Sequence, residues 1–339
     1  MFILKDQIRP NITALKPYTS ARDEYSGDCI LLDANENPYG NGDDNRYPDP
    51  NQSELTDALA KRNNILNKQI IFGNGSDELI DMLIRVFCEP KKDSILICPP
   101  TFGMYQVAAA INDVDIEKIP LDEQNQLNVT EIVNSKAKIL FLPSPNSPTG
   151  NIFSADGIRF ILNNFSGLVV LDEAYVDFSD STSWCDKLDE FSNLVILQTF
   201  SKYWALAGCR IGMMYASIEI IRIMLKVKAP YNLNNLSSQK ALSALDNEEQ
   251  IRTNADLIIS ERNKLAESLI LQSIVTHIHP SQTNFLWIET TDASGLFNAL
   301  KQAGIIIRKY KNKPNFIRIT IGKPKENDQL LALFRAYQP

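Results

Sequence analysis

The chain has 339 residues, 44% of them apolar and 22% charged, the balance of an ordinary globular protein with room for about two domains. Its 34 basic and 41 acidic residues leave a net charge of −7 with no basic tail, which argues against nucleic acid or anionic lipid as a partner and for a small molecule. Five cysteines (Cys29, Cys88, Cys98, Cys185, Cys209) lack CxxC spacing, so neither a disulfide framework nor a zinc ribbon is expected. The opening MFILKDQIRP returns to charge too soon for a signal peptide, and no apolar run approaches the roughly 18 residues of a membrane span. A cytoplasmic enzyme is the expectation.

In chain order, residues 1–35 show no strong periodicity and are expected to form an arm against one of the domains. Within IIFGNGSDELIDMLIRVF (70–87), Gly73 and Gly75 mark a tight turn and Ser76 is placed to cap a helix. Leu79, Ile80, Leu83, Ile84 and Phe87 then recur at helical spacing. SILICPP (94–100), KILFLPSPNSPTG (138–150), GLVVLDEAY (167–175) and LVILQTFSK (194–202) each carry a short unbroken apolar run bounded by turn formers. Such runs are strands buried on both faces, as in a parallel sheet wrapped by helices. A large α/β domain with a mostly parallel central sheet is therefore expected over 36–236. Residues 238–270 are rich in helix formers and read as one long or two consecutive helices. Beyond them TNFLWIET, GIIIRKY and FIRITIG read as strands, and SGLFNALKQAG and ENDQLLALFRAY as helices. These make a smaller α+β domain over 237–339.

The histidine count removes whole mechanisms. His277 and His279, the only two, alternate along one strand-like segment and neighbour no nucleophile or carboxylate motif, so a Ser-His-Asp triad or a histidine metal site is not expected. No metal is expected at all. In open α/β sheets ligands bind beyond the carboxyl ends of the strands, and there the sequence is rich. Asn146 lies in the loop after KILFL, Asp172 and Tyr175 follow GLVVL, and Thr199, Ser201 and Lys202 follow LVILQ. Taken singly, Asp172 reads as a helix cap and Lys202 as a solvated lysine; an amide, a carboxylate, a phenol and an amine converging on one rim do not.

A pyridine cofactor bearing an aldehyde needs that set. Lys202 would form a Schiff base with the aldehyde, while Asp172 against the ring nitrogen keeps the ring protonated and able to accept electrons. Tyr175 and Asn146 would bond the ring oxygen. Thr199, Ser201 and Arg210 would hold the cofactor phosphate, Arg210 by a charge-assisted clamp. Gly75, Ser76 and Asp77, at the start of the helix that Ser76 would cap, add a second phosphate element through backbone N–H groups. Asp77 and Glu78 complement the helix dipole and would repel a phosphate if aimed at it.

SPNSPTG, LDEAY, TFSKYWALAGCRIG and GNGSDE resemble, in order and spacing, the fold-type I pyridoxal-phosphate aminotransferases of the aspartate aminotransferase superfamily. LKPYTSARDE (15–24), LDANENPYG (32–40), RYPDP (46–50), CPPTFGMY (98–105), APYNLNNLSS (229–238) and FIRITIG (316–322) are similar to the histidinol-phosphate aminotransferase branch of it. The resemblance implies pyridoxal phosphate as cofactor and places Asn146, Asp172, Tyr175, Lys202 and Arg210 at cofactor positions. It implies that Tyr47 reaches the phosphate of the neighbouring subunit in a homodimer, and that Phe102 stacks on the ring where tyrosine is commoner. Tyr18, Arg308 and Arg318 are implied to handle the anionic part of the substrate. Amino transfer between histidinol phosphate and 2-oxoglutarate, giving glutamate, is the implied reaction of histidine biosynthesis. An aromatic or broad-specificity aminotransferase and a decarboxylase of a phosphorylated amino acid stand as alternatives.

Overall fold

The apolar runs form one seven-stranded sheet in the computed structural model, which describes residues 2–17, 30–40 and 44–338. Its strands are β1 Ile70–Asn74, β2 Ser94–Ile97, β3 Asp115–Lys118, β4 Ile139–Pro143, β5 Leu168–Asp172, β6 Leu194–Thr199 and β7 Ile211–Ala216. The order is β1-β7-β6-β5-β4-β2-β3. Pairing is parallel except at β7, which runs antiparallel to both neighbours. Every residue of β4, β5 and β6 is buried because alternate side chains feed two different cores. Leu140, Leu142, Val169, Leu171 and Ile196 enter one; Ile139, Phe141, Leu168, Val170 and Leu197 enter the other. A strand covered on both sides carries no polar alternation, which is why these segments read as unbroken apolar runs.

β1 and β7 go beyond the sequence expectation, which has IIFGN only as the approach to a turn and no element over 211–216. Ser76 also differs from it. Gly75 occupies the N-cap of the helix Ser76–Phe87 at φ 76°, and Ser76 is the first helical residue. Glycine is favoured there by the positive φ, which strains other residues, and a Cβ would push the guanidinium of Arg210 aside, lying 2.4 Å from its Nη2. The apolar face of that helix, with Leu79, Ile80, Leu83, Ile84 and Phe87, is buried in the second core.

Residues 238–270 fall into two consecutive helices, Asn235–Asp246 and Glu248–Leu269. The long one bridges two cores: Ala255 packs with the large sheet, Leu265 and Leu269 with a second sheet. That sheet is antiparallel, ordered β10-β11-β9-β8, from β8 Val275–His279, β9 Phe285–Thr290, β10 Arg308–Tyr310 and β11 Lys313–Thr320. The helices Ala293–Gln302 and Pro324–Ala336 cover it. Of GIIIRKY only the last three residues are strand, the segment opening at Gly304 with φ 82° just past a helix end. The described part of the arm lies on the large domain. Ile12 is buried in its second core, and Arg9 reaches Glu89 at 3.2 Å and the carbonyl of Arg85 at 2.9 Å. His279 Nε2 sits 3.0 Å from Glu289 on β9 and burial lowers its pKa, a structural contact.

Candidate active site

The topology brings the carboxyl ends of β1, β6, β5, β4 and β2, and the start of β7, to one rim. At the β1–β7 end, the N–H of Gly75 donates to the carbonyl of Arg210 at 2.8 Å. Gly212 lies so close beneath that a Cβ on it would be 2.3 Å from the N of Ser76. This contact carries Arg210 to the N-terminus of the helix Ser76–Phe87. Its guanidinium meets Asp77 at 3.4 Å and Ser201 at 3.5 Å. Glu78 turns the other way, accepting from the N–H of Asn74 and from Asn232 at 2.9 Å. Thr199 accepts the N–H of Ser201 at 3.0 Å, shaping the turn before Lys202. One end of the pocket is thus a cation over free helix N–H groups with hydroxyls beside it, a ready anion site.

The other end is anionic. Asp172 closes β5 and is 4% exposed. Its Oδ1 accepts the N–H of Ala174 at 3.1 Å and its Oδ2 the hydroxyl of Tyr105 at 2.7 Å. Burial raises its pKa, and the bond from Tyr105, then that from Ala174, pull it back. Lys202 faces it across the pocket, its Nζ 5.6 Å from the centre of the Tyr175 ring. Although the lysine reaches solvent through the pocket mouth, its walls desolvate the ammonium and Arg318 repels it, so its pKa is lowered. A lysine so placed holds a usable lone pair nearer neutrality than a surface lysine does. Phe102 lines the same pocket, edge-on to Tyr105.

Arg318 arrives from the antiparallel sheet. Its Nη1 donates to Oγ of Ser147 at 2.9 Å and its guanidinium lies 5.0 Å over the Phe285 ring. Ser147 lines the same pocket as Tyr175, and sequence reasoning missed it. Asn146 lies behind the pocket, wholly buried. Both its amide protons are spent, on the carbonyl of Pro100 at 2.9 Å and on Thr149 at 2.7 Å. Its Oδ1 is buried without a partner among the described residues, and Ser147, next to it in the turn, lines the pocket. Arg308 pairs with Arg318 across β10 and β11 but is exposed, over the Tyr310 ring. Tyr47 is away from the pocket, stacked on Tyr231 at 4.6 Å and 49% exposed. Tyr18 lies outside the described residues. Tyr105, the second residue missed, carried a weak signal: it stands three positions after Phe102, in the first turn of the helix Met104–Ile111.

These groups match a phosphorylated pyridine aldehyde in donor chemistry: the glycine cradle under Arg210 leaves room for an anion, and the carboxylate opposite suits a protonated ring nitrogen. Fold and rim together are those of the fold-type I pyridoxal-phosphate enzymes. The model of the family "aminotransferase class I and II" matches residues 24–334. Histidinol-phosphate aminotransferase of Flavobacterium psychrophilum is 45% identical over 99% of both chains, and that of Parabacteroides distasonis 46% over 97% of both. Among solved structures, histidinol-phosphate aminotransferase from Sinorhizobium meliloti in complex with pyridoxal-5'-phosphate superposes with a TM-score of 0.80, at 22% identity over 89% of each chain. The chain belongs to the class I and II aminotransferase family.

Proposed function

We propose that the protein transfers an amino group between histidinol phosphate and 2-oxoglutarate, with pyridoxal phosphate as cofactor. The observation that carries the substrate is end-to-end likeness, at 45–46% identity, to relatives named for it. Pyridoxal phosphate, when bound, supplies an aldehyde that captures the amine and a ring that takes up the electrons of a carbanion. Arg210, Ser201, Thr199 and the N–H groups of Ser76 and Asp77 would hold its phosphate, Gly75, whose own N–H is spent on the Arg210 carbonyl, allowing the close approach, and Phe102 would lie against its ring. Asp172 keeps a proton on its ring nitrogen. Tyr175 and Asn146, with Ser147 beside them at the pocket wall, would bond its ring oxygen. Lys202 is the resident amine and then the base that moves a proton at the substrate Cα.

Arg318 binds the substrate anion, a phosphate in one half-reaction and a carboxylate in the other, since its planar fork suits both. Arg308 beside it and Tyr18, by resemblance, serve the phosphate. The working unit is a homodimer in which Tyr47 acts at the partner's site; the exposure of Ile30, Leu32, Tyr39 and Leu236 around that segment supports it. The chain divides into an arm, 1–35, a large domain, 36–236, and a small one, 237–339, with the helix Glu248–Leu269 shared between their cores. Among the described residues no helix is long and apolar enough to cross a membrane, and Cys88, Cys98, Cys185 and Cys209 are free thiols; we place the enzyme in the cytoplasm.

The test is Arg318→Lys, with each half-reaction followed separately in single turnover. An ammonium cannot reproduce the guanidinium fork, and a charge-assisted bond lost in the pocket costs roughly 1.5 to 3 kcal/mol, so kcat/KM should fall about ten- to hundredfold for both substrates. Unchanged rates with histidinol phosphate would remove the assignment.

A further inference from the structure

Tyr105 is fully buried in the helix Met104–Ile111, beyond the pocket lining. Its ring stacks on Phe141 of β4, 4.7 Å between centres with 12° between planes, and meets Phe102 edge-on at 5.5 Å. Those contacts leave the phenol no rotational choice. A buried hydroxyl can be satisfied by any backbone carbonyl; this one spends its proton on Oδ2 of Asp172 at 2.7 Å.

We propose that Tyr105 is a positioning residue for the reaction, acting through Asp172 to keep that carboxylate anionic and aimed at the cofactor's ring nitrogen. This rests on the reading of Asp172 in the proposed function. Burial favours the neutral carboxyl, which would surrender its hold on the ring proton. Among the described residues two hydrogen-bond donors oppose burial, the Tyr105 hydroxyl and the Ala174 N–H, and the shorter bond is that of Tyr105; the charges that face the carboxylate, Asp77 against ionisation and Lys202 for it, weigh less. The phenol itself stays protonated, its pKa pushed up by burial and next by the Asp172 charge, so it remains a donor throughout the working range. With Oδ1 fixed by Ala174 and one side of Oδ2 by Tyr105, the carboxylate cannot rotate, and its unused lone pair is directed into the pocket.

The experiment is a pH titration of the visible absorbance of the lysine-bound cofactor in the Tyr105→Phe holoenzyme. Phenylalanine keeps both ring contacts and deletes the donor alone. A more basic Asp172 draws the proton from the ring, the less positive ring withdraws less charge from the Lys202 imine, and the titration midpoint should rise by about one unit. Proton-transfer rates in both half-reactions should fall about tenfold with KM little changed. In an Asp172→Asn background the same substitution should shift the midpoint no further. Incorporation of 3-fluorotyrosine at position 105, a stronger donor of nearly the same shape, should lower the midpoint, and it gives a reading even if Tyr105→Phe folds poorly. A midpoint unmoved in both variants, whatever the melting temperature does, would overturn the proposal. Because the titration needs cofactor and no substrate, it stands or falls independently of the histidinol phosphate assignment.

Discussion

In the proposed reaction Lys202 is a nucleophilic amine before it is a base, and both tasks need a lone pair. Its lowered pKa, from desolvation first and Arg318 second, supplies one. Lys202→Ala should cost at least about a hundredfold in turnover, the usual contribution of a positioned proton carrier, while pyridoxal phosphate still binds at Arg210. Near wild-type turnover, or borohydride fixing the cofactor to another lysine, would contradict this. Lys202 and Asp172 were legible in the sequence because each follows an unbroken apolar run, and the end of a doubly covered strand has one place to be; Arg210, just before a strand that was not read, was reached only through its spacing from Lys202. Asn146 and Ser147 were not separable that way. They are adjacent in a loop of prolines, both polar and both small enough to face inward, and only the folded chain shows Ser147 at the pocket wall and Asn146 bonded to Pro100 and Thr149 behind it. Tyr105 was hidden by its burial, since a tyrosine on an apolar helix face reads as core until its hydroxyl partner is seen.

At the scale of elements, the end of β5 delivers two buried carboxylates in succession to opposite sides. Asp172 faces the pocket; Glu173 faces away and accepts from Ser183 at 2.6 Å, from the N–H of Trp184 at 2.8 Å and from Gln198 on β6 at 3.0 Å. Burial, against these bonds, raises the Glu173 pKa from 4.5 to about 7. The folded state therefore keeps a proton that the unfolded chain has released. Its stabilising contribution is complete below about pH 4.5 and is lost as the pH climbs to about 7, a fall of about 3 kcal/mol. Asp172, also raised, adds in the same direction. Denaturant unfolding from pH 5 to 8 should show wild type losing more stability than Glu173→Gln, whose amide does not titrate; parallel curves would mean Glu173 is already ionised at the lower pH. The doubly buried strands were the readable elements. β7 was not, because IGMMYA carries no polar residue at its end to mark a rim, and its antiparallel course follows from the Gly75–Arg210 contact, a tertiary fact.

For the molecule as a whole, composition bounded the answer without naming it, and motif order supplied the rest. Assembly is the part least visible in a single chain: Tyr47 is remote from Lys202 in sequence and away from its pocket in the same subunit. If the sites are shared in a dimer as proposed, mixing Tyr47→Phe subunits with Lys202→Ala subunits should give heterodimers with one site carrying both defects and one carrying neither. Activity recovered on mixing is the expected outcome; none, with heterodimer shown to form, would make each subunit self-contained. The net charge of −7 is compatible with anionic substrates because the pocket concentrates Arg210, Lys202 and Arg318 at one rim, where local charge outweighs the total. The most direct measurement of the central claim is spectral. Histidinol phosphate added alone to the purified holoenzyme should convert the bound cofactor to its amine form, one equivalent per site without release of carbon dioxide, and 2-oxoglutarate should reverse the change. Failure to convert, or faster conversion by phenylalanine or tyrosine, would contradict the account.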